Sequence, residues 1–206
     1  MKLNFWIFLL LISHSIAAQN DKEELLKRDV DLLVEEMEFM YGYDQTMREY
    51  TIFKTFDKSE TDRLENLPDS LKMQEISQRK FKSDSLSLHI WKNYINPKDA
   101  AHVERMIEIT RTYGFPDTDR IRKYYDEDFE DPDFDPILMF IHAPKKFREE
   151  LKELMLLEYE AGRINQCQYG YLLWHILGRQ SFQPMLDNGY EMIQENGNTT
   201  LKSTCN

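Results

Sequence analysis

Cysteine, glycine and proline are scarce in this chain, with two, seven and seven among 206 residues. Two cysteines cannot supply a cysteine-rich zinc cluster, and no His-Glu-x-x-His pair offers a catalytic zinc site. The glycines are scattered: Gly162, Gly170 and Gly178 punctuate helices and make no phosphate-cradling loop. A Gly-x-Ser-x-Gly elbow and a Ser-x-x-Lys pair are absent too, which removes the common nucleophile motifs. Period-two alternation is nearly missing, so little of the chain reads as sheet. Basic charge is also in deficit, with 26 Lys and Arg against 37 Asp and Glu, a net charge of −11. Such a surface repels phosphate backbones and anionic lipid, which disfavours nucleic-acid and membrane-surface roles.

The N-terminus has the three parts of an export signal. Lys2 supplies positive charge, Phe5 to Ile12 an apolar run, and Ser15-Ile16-Ala17-Ala18 a small-residue cleavage site before Gln19 or Asn20. The apolar run is less than half of the roughly 20 residues a membrane span needs, and Ser13 and His14 interrupt it. The expectation is a signal peptide over 1–18 and an exported protein, periplasmic or extracellular, with no membrane insertion after cleavage. In such a compartment Cys167 and Cys205 permit a disulfide. It would pin the tail to the body and add roughly 3–4 kcal/mol. Cys167 also lies on an apolar helical stripe, where a buried free thiol is equally ordinary.

Helical periodicity dominates the rest. Leu26, Val30, Leu33, Met37, Met40 and Met47 recur at alternating four- and three-residue steps, with Asp44 filling the one missed step. That predicts a long first helix from Lys22 to Phe53. Asp57 to Leu67 reads as a polar connection, and Asp69 to Ile95 as a second helix whose first half is a solvated arm. Asn96-Pro97 is expected to stop that helix and start another, which ends at Tyr113-Gly114-Phe115-Pro116. Pro136 opens a short apolar helix to His142. Pro144 opens a longer one to Ala161, with Phe147, Leu151, Leu154 and Leu157 inward, and Asn165 caps a helix to Leu177. The fold class is therefore all-α, a bundle of about five or six helices. Residues 19–96 form a long helical N-terminal region, 97–182 a compact core domain, and 183–206 a flexible polar tail.

Asp131, Asp133 and Asp135 imitate the opening of a calcium-binding EF-hand loop. Pro136 stands where its turn needs Gly, and His142 where its closing Glu belongs. No metal and no cofactor are expected. His142 ends an apolar run at a helix junction, where an imidazole either caps a helix or lines a cleft. His102 and His175 sit mid-helix beside Met106 and Trp174, and read first as packed surface residues.

From Asp99 to Gln180 the chain resembles domain-of-unknown-function family 6624. Asp99 matches the Asp that opens a family helix, Tyr113-Gly114-Phe115-Pro116 its Y-G-x-P turn, and His142 the His of a Gln-His step. Ile141 replaces the Gln, His102 stands at an Asn, and Trp174-His175 replace an Asp-Arg pair. No Y-G-T-Q follows Gly178-Arg179-Gln180. The resemblance implies a bacterial origin and a shared helical core, and no reaction.

Two functions follow from the residues. The first is a non-enzymatic exported module that binds another protein through the N-terminal helix, between Met37 and Tyr50. The alternative is a hydrolase or metal-dependent enzyme built around His142, with Asp99, His102 or His175 folded beside it as acid–base partners.

Overall fold

The computed structural model describes residues 3–124, 134–195 and 197–205, with side chains from Asp21 onward. It is all-α apart from one small hairpin. The proposed signal residues 1–18 lie outside the described side chains. Among the described residues no helix is long and apolar enough to cross a membrane.

Helix α1 (Leu3–Phe53) runs the length of the fold. Its four-three stripe does what the spacing predicts, burying Leu26, Val30, Leu33, Met37 and Met40, joined by Val34. This face packs on α5 (Asn96–Tyr113) and α7 (Pro136–Ile141), with α8 (Arg148–Glu160) and α9 (Gln166–Ile176) completing the core. Leu157 is 59% exposed rather than inward, and Glu158 takes the buried place beside it.

Between α1 and α5 the expected pattern changes in three places. The polar connection contains α2 (Lys58–Glu65), capped by Asp57 and anchored by buried Thr61 and Leu64. The single helix expected over 69–95 is two: α3 (Asp69–Gln78) and α4 (Asp84–Ile90), the latter capped by the Ser83 hydroxyl accepting from the Leu86 N–H at 3.2 Å. Neither buries a residue, so the solvated arm expected of the first half extends through α4, where Leu88 is exposed. Nor does Asn96-Pro97 break the chain. A π-turn at Trp91–Ile95 leads from α4 directly into α5, with the Asn96 N–H bonded to the Trp91 carbonyl. Pro97 has no N–H to give, and widening the preceding turn lets the helix continue without one.

Gly114 makes the turn after α5. Its φ is +77°, and a Cβ there would stand 2.4 Å from Cδ of Arg163, so both backbone and space require glycine. A buried charge network holds the turn. The Phe115 N–H donates to Oε2 of Glu158 at 2.7 Å, Arg163 grips the same carboxylate through Nε and through Nη2 at 2.8 Å, and Glu158 is 1% exposed. Arg120 donates to the Phe115 and Tyr113 carbonyls and to Glu23 of α1.

The segment expected as a flexible polar tail is folded. It contains α10 (Gln183–Leu186), with Met185 buried, and an antiparallel hairpin of β1 (Tyr190–Glu195) and β2 (Asn198–Ser203). Cys167 of α9 is disulfide-bonded to Cys205, which closes the segment onto the body. That bond and the turn at Gly197 (φ +80°) replace the apolar core that a polar segment of this size cannot build.

Candidate functional site

The polar centre of the fold forms where α1, α5 and α7 meet. Asp44 sits on the inner stripe of α1 and is 6% exposed. Arg48, one turn on, donates from Nε to Asp44 Oδ1 at 3.0 Å and from Nη2 to Asp99 Oδ1 of α5 at 2.8 Å. One guanidinium thus holds two carboxylates together. Its other face lies over the Trp91 ring, 5.4 Å from the centroid, so the π-turn also serves to place this residue.

His142, at the C-cap of α7, faces this pair. Its Nδ1 lies 3.1 Å from Asp44 Oδ2, an ion pair when the imidazole is protonated. The contact is close but not aligned as a hydrogen bond, since Nδ1 counts among the buried nitrogens left without such a partner. The geometric fact is the 3.1 Å separation, and electrostatics account for it. Nε2 makes no hydrogen bond among the described residues and is not enclosed, so it is the open nitrogen of the ring.

The charges sort accordingly. Burial pushes Asp44 up, but the His142 contact and Arg48 outweigh it and hold the carboxyl below its ordinary range. Burial dominates at Asp99; the charge of Asp44 adds to it, and Arg48 only partly opposes it, so that carboxyl is raised. The two carboxylates are about equally buried and share one cation, and the His142 contact that only Asp44 has separates them.

Each histidine singled out from sequence has a distinct place. His102, one turn along α5 from Asp99, packs edge-on against Tyr43 with centroids 5.8 Å apart. Burial lowers its pKa. His175, on α9, lies close enough to feel the charge of His142. Burial, then Arg179 and His142, lower its pKa to about 4, so it is neutral at pH 7. Its ring packs on Tyr171 and Trp174, and its Nε2 is buried without a partner, like Nε1 of Trp174. Asp99 and His142 are therefore brought to one cluster through Asp44 and Arg48, with His102 and His175 flanking it.

The seam lined by Asp44, Met47, Asp99 and His102 is too tight to admit water. A larger groove of about 630 Å³ between α5 and α8 shares no residue with the cluster. Within it Arg111 is paired with Glu150 and Arg163 with Glu158. Among the described residues no group of three or more His, Cys, Asp or Glu side chains is arranged to hold a metal ion. Of the acidic loop, Asp131 and Asp133 lie outside the described residues, and Asp135 is the N-cap of α7, accepting from the Ile137 N–H at 2.9 Å.

Comparison with known proteins adds no assignment: no family model, curated protein or solved structure matches this chain.

Proposed function

We propose that this is an exported hydrolase in which His142 acts as general base on a water molecule. The observation that carries the reading is the buried Asp44 carboxylate 3.1 Å from His142 Nδ1, with Nε2 left open. The charge of a carboxylate beside one imidazole nitrogen favours the tautomer with its proton there and leaves the other nitrogen free to accept one. Arg48 and Asp99 hold Asp44 in place and do not meet the substrate. Water is the nucleophile because no hydroxyl or thiol bonds to His142 among the described residues.

The Cys167–Cys205 disulfide supports export, since such bonds persist in oxidising compartments. A non-enzymatic interaction module would have to use the outer face of α1, because Met37 and Met40 are core.

The test is turnover of activated esters, phosphate esters and glycosides by the mature protein. The wild type is expected to hydrolyse one class, and His142→Gln to lower the rate about 100–10,000-fold with far-UV circular dichroism unchanged. Equal rates in the two proteins, or no turnover of any class by folded wild type, would overturn the reading.

A further inference from the structure

Helix α1 has a second face, opposite the core and independent of the chemistry proposed for His142. Leu32 and Phe39 lie on it two turns apart, 71% and 73% exposed. Three residues after Phe39 comes Gly42, exposed and with nothing within 4 Å of where its Cβ would be. Glycine in a helix interior costs about 1 kcal/mol relative to alanine, and no group among the described residues uses the space it leaves. Phe39, Gly42, Tyr43, Thr46 and Met47 line an open, largely apolar depression of about 420 Å³.

We infer that this face is a homodimer interface, in which the α1 helices of two copies cross antiparallel with Phe39 of each over Gly42 of the other. The surface is its own complement: the knob and the hole stand about 4.5 Å apart along one ridge, as a two-fold contact requires. Charge selects the same occupant and the same direction. Asp31, Glu35 and Glu38, on the N-terminal side, have no ion-pair partner among the described residues. Lys98, on the C-terminal side, has no carboxylate partner and lies over Tyr43, 5.6 Å from the ring centroid. Pairing Phe39 with Gly42 antiparallel sets Glu38 of each copy opposite Tyr43 of the other, beside Lys98. A parallel crossing would set acid against acid.

Light scattering of the mature protein over a concentration series reads the state directly. The wild type is expected to be a dimer. Phe39→Glu and Gly42→Gln are expected to raise its dissociation constant about 100-fold or more without loss of helicity, and Phe39→Ala serves if the charged variant misfolds. Zero-length carbodiimide coupling in a mixture of isotopically light and heavy copies is expected to join Glu38 to Lys98 between chains. A monomeric wild type, or a dimer indifferent to these variants, would overturn the interface. A dimer lacking the mixed Glu38–Lys98 product would overturn the antiparallel crossing.

Discussion

Replacing Glu158 with Leu is expected to destabilise the protein by about 3–5 kcal/mol, measured by urea denaturation. The carboxylate is 1% exposed and serves three partners at once, the Arg163 guanidinium, the Phe115 N–H and, at 3.8 Å, the Lys22 ammonium. Leucine fits the volume but leaves a buried cation and a buried N–H without partners, and the loss of both exceeds the hydrophobic gain. Arg163 also occupies the space a side chain on Gly114 would need, so the turn after α5 loosens with it. A double variant, Glu158→Leu with Arg163→Met, is expected to recover much of the loss by removing the orphaned charge. Equal stability of Glu158→Leu and wild type would mean that the network is not holding the turn.

Met40→Glu is expected to cost several kcal/mol and to leave the chain largely unfolded at 25 °C. Met40 is 6% exposed on the inner stripe of α1 and belongs to the apolar core cluster, so a glutamate would enter the core unpaired. The same substitution one residue earlier, at Phe39, changes an exposed position and is expected to cost the monomer under about 0.5 kcal/mol. This contrast, read by thermal melts, separates the two faces of one helix. A Met40→Glu protein that melts like the wild type would show that the Met37 to Tyr50 segment faces outward.

Helix α1 was legible because its four-three spacing leaves one choice of buried face. The same holds for the Asn165 cap of α9 and the stop at Gly114 and Pro116, where side-chain chemistry acts locally. The break before α4 was not legible: no glycine or proline marks residues 79–83, and the α4 cap is a single serine. Pro97 misled for the opposite reason, since a local rule against proline yields when the preceding turn widens. The hairpin of β1 and β2 was not legible, because the polar composition of 183–206 hides two strands closed by a long-range disulfide. Leu157 and Glu158 exchanged places because the carboxylate had partners in Arg163 and Phe115, which no helical period reveals.

Asp99 and His142 could be singled out from residue type and position. Asp44 was visible as the polar residue in an apolar stripe, a placement that costs stability unless the group is paired. One of its partners is local, Arg48 one turn on, but the others were not visible, because Arg48 reaches Asp99 51 residues away and His142 comes from α7. Long-range pairing of this kind follows from the packing of α1 on α5 rather than from either segment alone.

One orientation decides the proposed chemistry, that of the His142 ring against Asp44. Long-range ¹H–¹⁵N correlation of the imidazole in neutral form reads which nitrogen carries the proton. The proton is expected on Nδ1, toward the carboxylate, with Nε2 bare and basic. A proton on Nε2, with Nδ1 bare against Asp44, would contradict the proposed base and leave the cluster a support of the core.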